Sequence, residues 1–130
     1  MATIYKEFIV ETGVDQAWDA LRDFGAVHQR LAPGFVTDCR MEEGARVVTF
    51  ANGAVAREVL VGVDEAARRL CYSVVGGKAT HHNASAQVFA EGVGRTRFVW
   101  ITDVLPHEHA MFIEAMMGQG IEVMKKALRR

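Results

Sequence analysis

The chain has 130 residues, half of them hydrophobic, and 15 Lys+Arg against 16 Asp+Glu give a formal net charge of −1 with histidine neutral. That balance suits one soluble domain spanning residues 1–130 and excludes a disordered chain. A sequence pI near 6.5 with no dense Lys/Arg run offers no electrostatic footprint for nucleic acid or for an anionic membrane surface.

Apolar runs such as Val59-Leu60-Val61-Gly62-Val63 fall far below the roughly 18 residues of a membrane span. Met1 to Glu11 alternates with Lys6 and Glu7 instead of forming a signal segment, so a cytoplasmic protein without an integral membrane segment is expected. Cys39 and Cys71 occur singly inside expected strands, as reduced packing residues do, and no metal cluster is expected.

In chain order, Thr3 to Glu11 alternates with period two: Ile4, Phe8 and Val10 share one parity, Tyr5, Glu7 and Glu11 the other. This is a first strand. Thr12-Gly13-Val14-Asp15 resembles a capping box, with Thr12 as acceptor for a backbone N–H. Val14, Ala17, Trp18, Leu21 and Phe24 then form the apolar stripe of a helix that Gly25 stops, and Ala26 to Leu31 suits a second short helix before Pro33-Gly34.

From Phe35 the period changes. Six strands are expected, roughly Phe35–Met41, Ala45–Ala51, Val55–Val63, Arg69–Val75, His82–Ala90 and Arg95–Leu105. The connectors, Asn52-Gly53 and Gly92-Val93-Gly94 among them, are short enough for sequential antiparallel hairpins. After Pro106 the helical period returns, with Ile113, Met117, Gly120, Met124 and Leu128 on one stripe of a long C-terminal helix.

The predicted architecture is therefore α+β: a seven-stranded antiparallel sheet, two short helices after strand one, and one long helix that the sheet must curl around to bury its apolar face. If Ala90 pairs with Thr96, then Val88 faces Phe98, Ala86 faces Trp100 and Ala84 faces Thr102 on one side, leaving Asn83, Ser85 and Gln87 on the wet side. Two alanines beside a bulky tryptophan, under a helix interrupted by Gly118 and Gly120, leave volume for an internal pocket unless large neighbours close the gap.

This order of elements, with several motifs, resembles the SRPBCC superfamily, the helix-grip fold shared by the major birch pollen allergen, START lipid-transfer domains, polyketide cyclases and plant abscisic acid receptors. The motifs are Thr12-Gly13-Val14-Asp15-Gln16-Ala17-Trp18, Arg57-Glu58-Val59-Leu60 followed by Asp64 to Leu70, Tyr72-Ser73-Val74-Val75-Gly76-Gly77, and Trp100 ahead of Pro106. The stretch Glu58 to Asn83 is most similar to the plant receptors and their bacterial relatives. There the resemblance implies a ligand cavity lined by Glu58, Tyr72 and the Lys78–His82 loop. The receptors' ligand-carboxylate lysine would fall close to Pro33, and their gate loop is represented only by Ala51 to Ala54, so hormone reception is not implied.

Two arguments conflict at Glu58. By pattern alone the side of Val55, Arg57, Val59 and Val61 looks more buried, which puts Glu58 outside; the resemblance points it inward, where it could donate a proton or anchor a ligand hydroxyl. His81 and His82 are adjacent and must face opposite sides at the expected cavity mouth; His82 shares the parity of Ala84 and Ala86 and could act as acid or base. His107 and His109 do not share a helix face, which argues against a metal site there, and His28 is expected at the surface.

The residues expected to border a ligand are thus Glu58, Tyr72, His81, His82, Ala84, Ala86, Trp100, Ile113, Met117 and Gly120, and the expected partner is a small hydrophobic molecule: lipid, aromatic or polyketide-like. No cofactor is implied. The resemblance also allows cyclase or dehydratase chemistry in the same cavity, with Glu58 as acid or base, His82 as its partner, Tyr72 orienting an oxygen and Trp100 stacking on a planar substrate. A third reading is an interaction module with a filled core, in which an exposed apolar helix face or sheet edge joins two copies as a homodimer.

Overall fold

The computed structural model describes residues 2–129. Strand β1 (Ala2–Val10) leads into helix α1 (Val14–Arg22), a 3-10 turn (Phe24–Ala26) and a single π turn (Val27–Leu31). Six strands follow: β2 (Val36–Glu42), β3 (Ala45–Phe50), β4 (Val55–Asp64), β5 (Arg69–Val75), β6 (His81–Ala90) and β7 (Thr96–Leu105). A 3-10 turn at His107–His109 then opens into α2 (Ala110–Leu128), a helix of 19 residues.

All seven strands form one antiparallel sheet in the order β1-β7-β6-β5-β4-β3-β2, so the first strand is carried round to pair with the last. The β6–β7 register has Ala90 opposite Thr96, Val88 opposite Phe98, Ala86 opposite Trp100 and Ala84 opposite Thr102, as the sequence predicts. An extra residue at Val61 in β4 and another at Thr37 in β2 interrupt the ladders, and such bulges bend a sheet. The curved sheet grips α2 along Met117, Gly120, Met124 and Leu128.

Two side chains tie the ends of this grip together. Thr96 Oγ1 donates to the Thr12 carbonyl at 2.6 Å, and Thr12 Oγ1 donates to the Leu128 carbonyl at the last turn of α2. Thr12 is therefore not the helix cap expected from its sequence. Gly13 is the residue before α1 and no side chain among the described residues caps the helix there, while Asp15 in the first turn pairs with Arg68 instead. The long-range bonds satisfy buried groups that a local cap would have left to β7 and α2.

Gly120 marks the closest approach of α2 to its surroundings: a Cβ there would lie 3.2 Å from Phe35 Cε2 and 3.2 Å from Trp100 Cζ3. Gly118 has nothing within 4 Å of the same position. Gly118→Ala should therefore stabilise the protein by about 0.5–1 kcal/mol through helix propensity. Gly120→Ala should forfeit that gain, because two rings must yield to admit the methyl group. Thermal melts of the two variants compare the effects directly, and equal gains would show that the contact at Gly120 is slack.

Candidate functional site

Between the concave face of the sheet and α2 lies a cavity of about 540 Å³, within the range of small-molecule sites. Its wall is mostly aliphatic and aromatic, with Leu70, Val74, Phe98 and Trp100 from the sheet and Ile113 and Met117 from the helix. Val55, Lys78 and Phe112 also line it and are exposed, so the cavity reaches solvent. The interior is not filled in part because Ala86, on the cavity wall opposite Trp100, brings little side-chain bulk of its own.

The expected site residues divide. Glu58, Tyr72, His82, Ala86, Trp100, Ile113 and Met117 border the cavity. Ala84 and Gly120 are buried but stand off the wall. Ala84 lies between its strand partners Tyr72 and Thr102, and the missing Gly120 side chain lets Phe35 and Trp100 close against the helix. His81 is exposed on the outer parity of β6 and does not border the cavity. His28, expected at the surface, is half-buried, and its Nδ1 is enclosed without a hydrogen-bond partner.

Glu58 is only 6% exposed and points inward, so the reading of β4 from its valines is overturned. Arg57 is exposed and Val61 is 64% exposed, which makes that parity the convex face. What holds a carboxylate inward is Arg46, also 6% exposed, whose Nε donates to Glu58 Oε1 at 2.7 Å. Arg46 Nη1 also donates to the Phe24 carbonyl at 3.0 Å, and its guanidinium lies 3.9 Å from the centre of the Phe24 ring and 5.3 Å from that of Tyr72.

Sequence reasoning missed Arg46. It shares the parity of Val48 and Phe50 in β3, where a lone charge among apolar residues calls for a buried partner. A two-residue turn at Asn52-Gly53 would set it opposite Val59. The loop instead takes three residues, with Phe50 N–H bonding the Ala54 carbonyl and Gly53 at φ +87, a conformation glycine adopts without strain. That single residue of register puts Arg46 directly opposite Glu58.

Tyr72 is the third polar group at this end. Trp100 Nε1 donates to its hydroxyl at 3.2 Å. Burial, with the Glu58 carboxylate second, pushes the phenol well above its ordinary value, so it stays protonated and keeps a donor. Arg46 and the Trp100 hydrogen bond oppose that shift without reversing it. His82 lies apart from this cluster: no hydrogen bond or ion pair joins it to Glu58 among the described residues. Burial first, and the neighbouring His81 second, hold its imidazole below the ordinary value of 6.5.

Two outcomes follow from these environments. Glu58→Leu alone should cost about 3 kcal/mol in a urea melt, because it strands a buried guanidinium, whereas the Arg46→Met/Glu58→Leu double variant should lie within about 1 kcal/mol of the parent. A double variant as weak as the single would locate the loss in packing and not in charge. At His82 the folded state disfavours the proton, so stability should fall as pH drops through 6.5 toward the lower folded-state value and level off below it. His82→Gln should remove that part of the acid slope in melts between pH 7.5 and 5 and leave the high-pH Tm little changed.

The whole chain, residues 1–130, matches the model of the family described as polyketide cyclase / dehydrase and lipid transport. No curated protein matches it by sequence. Among solved structures, a protein from Thermobifida fusca superposes with a TM-score of 0.77 at 27% identity, over 98% of this chain and 91% of that one. A START superfamily protein from Mycobacterium smegmatis gives 0.72 at 17% identity, over 97% and 93% of the two chains. Norcoclaurine synthase from Thalictrum flavum, in complex with dopamine and hydroxybenzaldehyde, gives 0.72 at 17%, over 98% and 83%. At those identities the last two are likenesses of fold. With the family model spanning every residue and a sheet that wraps one long C-terminal helix, the chain belongs to the polyketide cyclase / dehydrase and lipid transport family of the SRPBCC superfamily, and its fold is the START-like helix grip.

Proposed function

We propose that this protein takes up a small, largely apolar organic molecule, a lipid, an aromatic or a polyketide-like compound, in the cavity between its sheet and α2. The observation that carries this reading is the unfilled space of about 540 Å³, walled largely by apolar side chains, with Arg46, Glu58 and Tyr72 clustered among them. An apolar wall supplies affinity without direction, and a few fixed polar groups orient what enters. The family description, which includes lipid transport, supports the same reading. So does the fold shared with a START protein and with a synthase whose structure holds two small aromatic compounds.

A panel of such compounds should raise the melting temperature. A ligand at 100 times its Kd adds about 2.7 kcal/mol, several degrees for a chain of this length. Ala86→Phe, which fills space opposite Trp100, should abolish the rise while the protein still melts cooperatively. A panel without any shift would count against the cavity as a binding site.

Catalysis in the same cavity has one observation in its favour. An imidazole held below 6.5 is neutral at physiological pH, so His82 is able to accept a proton from a bound substrate, with Glu58 carrying charge at the other polar position. Turnover of a bound compound that survives both His82→Ala and Glu58→Gln would remove that assignment and leave carriage.

A further inference from the structure

The ion pair at the cavity's polar end is incompletely used. Arg46 engages Glu58 through Nε and the Phe24 carbonyl through Nη1, while its Nη2 has no partner among the described residues. Glu58 Oε2 likewise has none, since only Oε1 meets the guanidinium. The Tyr72 hydroxyl accepts from Trp100, and its own proton has no acceptor among those residues. These side chains belong to residues 6%, 6% and 7% exposed, and all three border the cavity. His28 Nδ1 is the one fully enclosed polar side-chain atom left without a partner among the described residues. The free atoms of Arg46 and Glu58 therefore keep an open side, and the space that both residues border, with Tyr72 beside them, is the cavity.

From this juxtaposition we propose that the polar end recognises a neutral head group carrying an acceptor beside a donor, as a carboxamide does, and discriminates against carboxylates and ammonium ions. The proposal rests on the cavity being a site for apolar molecules. A carbonyl oxygen would accept from Arg46 Nη2 or the Tyr72 hydroxyl, and an adjacent N–H or O–H would donate to Glu58 Oε2. The charges of Arg46 and Glu58 cancel, so a neutral head leaves the buried end neutral. A carboxylate would meet the guanidinium but confront the free carboxylate oxygen, and an ammonium would do the reverse. Either would place an uncompensated charge in a largely apolar enclosure. A head that only accepts would leave Glu58 Oε2 dry and unpaired.

Four compounds sharing one tail test this by calorimetry at pH 7.5: decanamide, decanoate, decylammonium and methyl decanoate. The parent protein should bind decanamide about tenfold or more tightly than each of the others, the worth of a hydrogen bond to a charged group. Glu58→Gln, which leaves Arg46 without its counter-charge, should shift preference toward decanoate by about tenfold or more. The Arg46→Met/Glu58→Leu variant, which replaces the pair with apolar bulk, should bind decanamide and methyl decanoate within about twofold. Binding of all four compounds within about threefold by the parent, or a decanamide preference that survives in the apolar double variant, would overturn the head-group assignment and leave the apolar reading standing. Failure of every compound to bind the parent would instead take down the apolar reading, and the head-group assignment with it. Since the parent's own selectivity decides between these outcomes, a variant that fails to fold does not remove the test.

Discussion

One long helix, with only the short α1 and two turns beside it, has to cover the apolar face of seven strands, and the architecture follows from that shortage. A nearly flat sheet would leave most of its apolar face wet, so the strands curl, helped by the bulges in β2 and β4, while the Thr12, Thr96 and Leu128 bonds tie the end of β1 to β7 and to the last turn of α2. Trp100 and Phe35 lie against Gly120, while Ile113 and Met117 of the same helix border empty volume. Filling that volume with larger side chains would gain burial, yet Ala86 on its wall stays small. Packing of this kind forgoes stability around a space instead of using every apolar residue to close it.

A buried ion pair is the second constraint. Bringing Arg46 and Glu58 out of water costs several kcal/mol per ion, and a single 2.7 Å hydrogen bond between them is a meagre return. The guanidinium recovers more through the Phe24 carbonyl and through the faces of Phe24 and Tyr72. Even so, two apolar residues of the same size would serve the fold about as well, so the pair is better understood through what it offers the cavity. Trp100 and Tyr72 extend the same polar end across β5 and β7, with the Trp100 ring fixed by its hydrogen bond to Tyr72 on one side and by the helix glycine on the other.

Elements governed by local chemistry could be read directly. Hydrophobic period, turn residues and length located all seven strands and the last helix, and the pairing across the Gly92–Gly94 turn came out residue for residue, because a short turn leaves a hairpin little freedom. Glu58 was harder: valines mark a buried face only when the convex side of the sheet is covered, and here it faces water. Thr12 has the residue type of a helix cap, yet its hydroxyl reaches Leu128, more than a hundred residues away.

By itself, then, the sequence determined the order of elements, the helix-grip architecture and the presence of small residues opposite Trp100, all of which depend on periodicities and turns within a few residues of one another. Tertiary structure alone decided which face of β4 is inside, that Arg46 stands opposite Glu58, and which of the expected wall residues reach the cavity. Each of these depends on register and curvature. A one-residue difference in the Asn52-Gly53 loop changes the partner of every side chain in the β3–β4 hairpin, and the bend of a sheet around a helix is set by all seven strands at once.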